Sequence, residues 1–421
     1  MAFKRIAAVF GIFVLTSVGW AILGGTTAFR SSDTYSDLGR EVSGIYGAPI
    51  VQRAPTFEIL RPKDTDESSK EGDDDEAKVR WLSRTAEPDA NEIDVALDLD
   101  LRKKGLLWFR TYGVAFDATY TLKGPFEEGE FARVTVPLPQ ARATYDQFLF
   151  EVNGRSARPG GDLSGGLTVD APVTSGEDTV VRLRYETRGM DRWEYSFGAG
   201  TAQVKDLDME VVTDFADYDF PAQGLAPSSH GPDGEGQWKL EWDSDALLTG
   251  APAAVIVPGK LNPGPLASRI TFFAPVGLLF FLAVVVIIGA ARGNSLHSMH
   301  YFFICAAFFA FHLLFSYLVD HVDINAGFLL AAATSVLLVA SYVLRIKGAR
   351  YALGIIAPAQ ILFLILFSYA FFFKGYTGLT ITIASVVTLA ALMHITAGVK
   401  WDELRPAEAE TQPQPTPETA G

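Results

Sequence analysis

The sequence has a single cysteine, Cys305, among 421 residues. One thiol cannot form an intrachain disulfide, and it cannot supply the ligands of an iron–sulfur cluster or a cysteine-rich zinc site. The sequence also has no GxxxxGK[ST], HExxH, GxSxG or complete GxGxxG signature, which are the common marks of nucleotide, metalloprotease and hydrolase sites. We therefore expect a non-enzymatic protein with no catalytic residues, no cofactor and no metal.

Positive charge is scarce. There are 35 lysine and arginine residues against 49 aspartate and glutamate residues, a net charge of −14. Such a chain is not expected to bind nucleic acid, because that binding depends on basic groups that displace counterions from phosphates. Residues 25–268 hold 25 of the basic and 42 of the acidic residues, a net −17, so the rest of the chain is +3.

Outside this acidic stretch, charge is missing from six long runs. About 20 helical residues cross a hydrocarbon core of about 30 Å, and every run is about that long or longer. We predict six transmembrane α-helices, namely an N-terminal anchor (1–29) and a C-terminal five-helix block (270–399). The charge-free runs are 6–29, 270–291, 301–319, 324–344, 351–373 and 375–399.

The first run has a second interpretation. Lys4 and Arg5 precede it, and Thr26-Thr27-Ala28 resembles a cleavage site, as in a secretory signal peptide. Its 24 uncharged residues exceed the apolar region of about 7–15 residues that is usual in signal peptides. The length favours an uncleaved anchor.

Basic residues in the short loops predict the orientation. They gather on the cytoplasmic side of membrane proteins. If the N-terminus is cytoplasmic, eight of these residues lie inside and only Lys374 lies outside. We therefore expect cytoplasmic ends, an external segment at 30–268, and a solvated, disordered tail at 400–421. The eight inside residues are Lys4, Arg5, Arg292, Arg345, Lys347, Arg350, Lys400 and Arg405.

The external segment reads as β-structure. Residues 93–102 alternate apolar and polar side chains with period two, as expected for a strand with one solvated face. Glycine and proline turns separate several similar runs, which predicts a large all-β, sandwich-like domain of antiparallel strands over 30–260. We expect a disordered acidic loop at 64–76 and a linker at 261–269. The further strand-like runs are 106–122, 133–138, 147–152, 179–187, 208–215 and 237–242.

Ionisable residues cluster along the third predicted span. Such groups are costly at membrane depth and are often functional there. A proton or small-solute path through the five-helix block is therefore one alternative function, although only His312 is predicted to lie deep. The candidate residues are His297, His300, His312, Asp320, His321 and Asp323.

Dispersed carboxylates leave a third alternative open. Many acidic residues lie in the external segment, and sequence spacing does not show which of them meet in space. A hydrolase that uses a pair of carboxylates in a cleft of the β-domain is therefore possible on sequence grounds.

Several local motifs resemble the CreD family of bacterial inner-membrane proteins. Leu296-His297 with Tyr301-Phe302 is similar to the family's entry to the third helix, and Asp320-His321-Val322 is similar to the sequence that follows that helix. In the external segment, residues 212–220 and 238–242 resemble an aromatic family segment, with Phe215 where tryptophan is usual. The order of anchor, external β-domain and five helices is also that of the family.

The resemblance implies a cell-envelope protein, and some relatives are associated with envelope integrity and stress tolerance. The predicted helices contact the lipid bilayer, and the oligomeric state is left open. Because the external, periplasmic domain is far larger than an anchor needs and carries no catalytic motif, we hypothesise that it binds an envelope protein or glycan. We expect the partner-binding segment to include Asp214, Phe215, Tyr218, Phe220, Trp238 and Trp242.

Overall fold

The computed structural model describes residues 2–62, 81–158, 160–162, 164–198, 200, 202–234, 236–291, 296–373 and 375–397. The predicted acidic loop (64–76) and the predicted tail (400–421) lie outside these residues. The chain divides into two compact units. Residues 1–32 and 263–421 form the helical unit, and residues 33–262 form the β unit.

Six helices in the described part of the chain are long and apolar enough to cross a membrane, which confirms the predicted number. The helices are α1 (Ala2–Tyr46), α2 (Pro263–Ala291), α3 (Ser298–Leu318), α4 (Ile324–Lys347), α5 (Ala349–Phe372) and α6 (Thr377–Thr396).

Helices α1 and α2 extend furthest beyond their charge-free runs. Helix α1 continues to Tyr46, although residues 30–46 were predicted to belong to the β-domain. In this extension Tyr35, Leu38 and Val42 recur at a spacing of three to four residues and pack with Phe109, so a short apolar stripe stabilises the helix. Helix α2 begins at Pro263, inside the predicted linker, because proline suits a first helical position.

Helix α5 is irregular. It contains π-helical turns at Ala352–Ile356 and Ile361–Leu366, one on each side of a short α-helical segment that carries Pro358. Proline removes a backbone donor and clashes with the preceding turn, and the wider turns accommodate the distortion. The core of the helical unit is rich in aromatic residues, with Trp20, Phe281, Phe308 and Phe315 almost fully buried.

The β unit contains eighteen short and long strands among its described residues. The strands are β1 (Ile50–Arg53), β2 (Thr56–Pro62), β3 (Trp81–Ala86), β4 (Ala90–Leu99), β5 (Arg102–Lys104), β6 (Leu107–Phe109), β7 (Thr111–Leu122), β8 (Phe131–Val136), β9 (Asp146–Val152), β10 (Arg155–Ser156), β11 (Gly160–Asp162), β12 (Gly166–Pro172), β13 (Thr179–Met190), β14 (Arg192–Ser196), β15 (Ala202–Thr213), β16 (Ser229–Pro232), β17 (Trp238–Thr249) and β18 (Ala253–Ile256).

Two large sheets pack as a sandwich. One has eight strands in the order β10-β9-β13-β7-β4-β15-β17-β16, and the other has five in the order β11-β12-β8-β2-β3. Alternate residues of both sheets enter one core, as the period-two pattern predicts. Phe57 of β2 meets Tyr120 of β7 there, with ring centroids 6.1 Å apart.

Two strand pairs are parallel, whereas the sequence predicted antiparallel strands. β4 pairs in parallel with β15, and β1 pairs in parallel with β14. Parallel neighbours need long connections, whereas tight turns join only antiparallel ones. The turn signals in the sequence could therefore reveal hairpins but not these two distant pairings.

Candidate functional site

His312 lies in an aromatic box within the helical unit. It is fully buried, and the centroid of its ring lies 5.4 Å from that of Trp20 and 4.7 Å from that of Phe311, both at nearly perpendicular angles. Its Nδ1 lies 3.3 Å from the Phe308 carbonyl oxygen. Its Nε2 has no hydrogen-bond partner among the described residues. These surroundings fit a neutral, packed imidazole.

The acidic residues after α3 have separate structural roles. Asp320 forms an ion pair of 2.9 Å with Arg30 of α1, and the same guanidinium donates to the Ser316 carbonyl oxygen at 2.5 Å. Asp323 caps α4, where its Oδ1 accepts from the Asn325 amide at 2.9 Å. His321 is exposed. Asp320 thus joins α3 to α1, and Asp323 stabilises the start of α4.

His297 and His300 lie at the opposite end of α3. His297 is the N-cap residue, and its Nδ1 accepts from the Met299 amide at 3.3 Å. The Nδ1 of His300 lies 2.9 Å from the Tyr342 hydroxyl of α4. The six ionisable candidates therefore occupy three separate places along α3, and no group of three possible metal ligands occurs among the described residues.

A polar contact that the sequence did not reveal joins three helices. Gln360 of α5 donates from Nε2 to the Ser335 hydroxyl at 2.9 Å, and Ser335 donates to the Ala307 carbonyl oxygen of α3 at 2.7 Å. Gln360 and Ser335 are fully buried. Gln360 follows Pro358 by two residues in the sequence, and no sequence pattern indicates its partner. This chain of hydrogen bonds fixes how α3, α4 and α5 pack.

Three residues of the predicted partner-binding segment are structural. Phe215 and Trp242 are buried in the sandwich core, and Trp242 donates from Nε1 to the Leu225 carbonyl oxygen at 3.0 Å. Asp214 accepts from the Leu99 amide at 2.8 Å. These contacts stabilise the sheet and its following loop, so the three side chains offer little to a partner.

The other three residues form an aromatic group with His230. Tyr218 lies edge-to-face against Phe220 and Trp238, with centroids 5.6 and 6.0 Å apart. Its hydroxyl lies 2.9 Å from Nδ1 of His230, and burial raises the pKa of Tyr218. The rings pack edge-to-face and Tyr218 hydrogen-bonds to His230, so this group forms a packed surface patch.

A cleft of about 970 Å³ opens in the β unit. One wall is made of residues 43–48, at and after the end of α1, and of the loop 140–144. The floor and the other wall belong to β4, β7 and β13 of the eight-stranded sheet. Its volume lies within the range of about 300–1,000 Å³ that is typical of ligand sites.

Backbone pairing sets the charges on the cleft floor. Asp98 of β4 pairs with Gly113 of β7, and Gly113 pairs with Arg188 of β13. Directly paired residues share a sheet face, so opposite charges flank a glycine. Burial, and then the carboxylates of Asp214 and Glu186, raise the pKa of Asp98.

Hydrogen bonds hold the walls of the cleft. The Gln140 side chain donates from Nε2 to the Ala48 carbonyl oxygen at 2.7 Å and accepts from the Ala48 amide at 3.2 Å. The Thr187 hydroxyl donates to the Thr144 carbonyl oxygen at 2.9 Å. The loop is thus tied both to the end of α1 and to the sheet, which favours a preformed cleft.

The cleft was not predicted from the sequence. The one available signal was Gly113, an isolated glycine in a strand pattern, which is typical of a bulge or of a place where another chain or a ligand comes close to the backbone. The remaining lining residues come from distant parts of the chain, and only the sheet register places them together.

Comparison with known proteins identifies part of the chain. Residues 265–402 match the family model for Inner membrane protein CreD. The C-terminal helical block is therefore similar to the corresponding part of the CreD family. This match confirms the resemblance for about a third of the chain, and CreD-type helices with six apolar spans place the protein in a membrane as a multi-pass protein.

The other comparisons add little. No curated protein matches the chain significantly. A candidate nutrient-binding protein from Legionella pneumophila shares 10% identity at a TM-score of 0.25, over 58% of this chain and 96% of that one. An M1 zinc metallopeptidase from Deinococcus radiodurans shares 10% identity at a TM-score of 0.23, over 76% and 92% of the two chains. Scores this low support no conclusion about fold or function.

Proposed function

We propose that this is a non-enzymatic cell-envelope protein of the bacterial inner membrane whose β unit binds an envelope partner in the 970 Å³ cleft. The CreD match of the helical block supports the location. The excess of basic residues in the cytoplasmic loops supports a periplasmic β unit. The cleft is the observation that carries the proposal, because it is large, charged and held open by hydrogen bonds.

The helical unit acts as an anchor in this proposal. Most of its candidate proton-path residues are held by hydrogen bonds, an ion pair or packing, whereas His321 is exposed. His312 packs in an aromatic box, and Asp320 pairs with Arg30. A transport path would need these groups to line one continuous polar route, and the described contacts favour helix packing instead.

Charge reversal in the cleft tests the proposal. In cells that lack the chromosomal copy, the Arg188→Glu, Arg142→Glu double variant is expected to lose the survival under envelope stress that the wild-type protein restores. The reason is that both arginines line the cleft and a partner would meet reversed charge.

Arg155→Glu is the control, because it reverses one charge outside the cleft. Arg155 is exposed on β10 and does not line the cleft. It should restore survival fully at equal protein level. If the double variant, at equal protein level, restored survival as the wild-type protein does, the proposal would be contradicted.

A further inference from the structure

The cleft floor presents both signs of charge at a fixed spacing. Asp98 and Arg188 lie in one row of the sheet, one strand to each side of Gly113. Neighbouring strands are about 4.8 Å apart, so the backbones that carry these two charges are about 10 Å apart. Glu186 follows on the same face of β13, and it pairs with Asp146 of β9.

The space between the two charges is open. Gly113 has no side chain, and an added Cβ would meet only the Cβ of Asp98, at 3.9 Å. Ala96 and Ala115, which pair with each other in the next row, are also small. A ligand's main chain can therefore approach the sheet closely at this point.

Most of the charged side chains that line the cleft form no ion pair with another described residue. Arg142, Arg188, Asp98, Asp146 and Glu186 all lie along it. None of the ion pairs found among the described residues involves them. A ligand with one sign of charge would be repelled by part of this lining. A ligand with one positive and one negative group would find a partner for each.

We propose that the cleft binds a short peptide with a free ammonium group and a free carboxylate, an inference that rests on the proposed function of the same cleft. The carboxylate pairs with Arg188 and Arg142, and the ammonium group pairs with Asp98. An extended chain advances about 3.3–3.4 Å per residue. A span of about 10 Å therefore corresponds to about three residues.

Blocked and unblocked tripeptides test this assignment. The full chain in detergent is titrated calorimetrically with tri-alanine, with its N-acetyl derivative and with its C-terminal amide. Unblocked tri-alanine is expected to bind, and each block is expected to weaken binding about tenfold or more, because close interfacial charge pairs contribute at least that much. Equal binding of all three peptides, or no saturable binding of tri-alanine, overturns the proposal.

Variants show which charge recognises which end. Arg188→Gln should weaken tri-alanine binding and remove most of the effect of amidation, and Asp98→Asn should do the same for acetylation. Arg155→Gln, outside the cleft, should bind all three peptides as wild type does. Unchanged sensitivity to both blocks in the two cleft variants would contradict the proposed ligand orientation. Unfolding temperatures confirm that each variant is folded.

The two proposals fail in different ways. If no tripeptide binds but the arginine double variant still loses envelope-stress survival, the cleft is functional and the ligand class is wrong. If tri-alanine binds as expected but the double variant survives like wild type, the peptide site exists and the proposed cellular function is wrong.

Discussion

Asp94 shows how a cluster of like charges on the eight-stranded sheet can lower the stability of the protein. It lies on the outer face, directly opposite Asp117 of β7 and Glu210 of β15, beside a depression of about 360 Å³. Burial raises the pKa of Asp94, and the carboxylates of Glu210, Glu92, Asp117 and Asp208 raise it further. Like charges placed directly opposite one another destabilise a sheet.

Neutralising Asp94 should stabilise the protein. Because the pKa of Asp94 is raised in the folded state, the folded protein binds this proton more readily than the unfolded chain, and its ionised form lowers stability at pH 7. Asp94→Asn is therefore expected to unfold at a higher temperature than wild type at pH 7. The gain should shrink as the pH falls through the pKa of Asp94, where the wild-type carboxyl becomes neutral.

Asp178→Asn is the matched control, since Asp178 is exposed in a turn and loses the same charge. It should change the unfolding temperature little at either pH. A lower unfolding temperature for Asp94→Asn at pH 7, or a gain that grows towards acidic pH, would contradict the account of the sheet surface.

At the scale of elements, the helical unit is fixed by a few directional contacts within an apolar core. The Gln360–Ser335–Ala307 chain joins α5, α4 and α3. Its two side chains are not equivalent. Ser335 both accepts and donates, whereas Oε1 of Gln360 has no partner among the described residues.

This asymmetry predicts different effects for two substitutions. Ser335→Ala removes the acceptor of a buried amide and should destabilise the protein by about 1–3 kcal/mol, the usual cost of an unpaired buried polar group. Gln360→Leu removes the amide together with its unpaired oxygen, while Ser335 keeps its bond to Ala307, so it should cost less. Unfolding in detergent measures both changes.

Thr334→Ala serves as the control, because the Thr334 hydroxyl bonds only within its own helix and Thr334 is only half-buried. It should have little effect. If Gln360→Leu proved more destabilising than Ser335→Ala, the hydrogen-bond chain would not fix the packing of these helices as described.

Sequence patterns predicted elements better than their partners. The apolar runs located six spans, and period-two alternation located the long strands, because both signals are local along the chain. The extension of α1 is stabilised by a short apolar stripe of Tyr35, Leu38 and Val42. Charged residues between them obscure this pattern in the sequence. The parallel pairing of β4 with β15 and the meeting of Asp98 with Arg188 across Gly113 depend on distant segments, and no local pattern encodes them.

On the scale of the whole molecule, the proposed function assigns ligand binding and anchoring to different units. The helical unit matches the CreD family over residues 265–402, and its candidate ionisable groups other than the exposed His321 are engaged in packing, a hydrogen bond, capping or an ion pair. The β unit holds the large cleft, with opposite charges around an open glycine floor. The proposed division is therefore a membrane anchor and a ligand-binding periplasmic domain.

Filling the cleft floor tests this division most directly. Gly113→Val adds a strand-favouring side chain into open space, and Gly231→Val does the same on β16, where nothing lies within 4 Å of an added Cβ. The measurement is survival under envelope stress in cells that lack the chromosomal copy, at equal protein levels. The account predicts that Gly113→Val falls to the level of the empty strain while Gly231→Val matches wild type. Wild-type survival with Gly113→Val would contradict it.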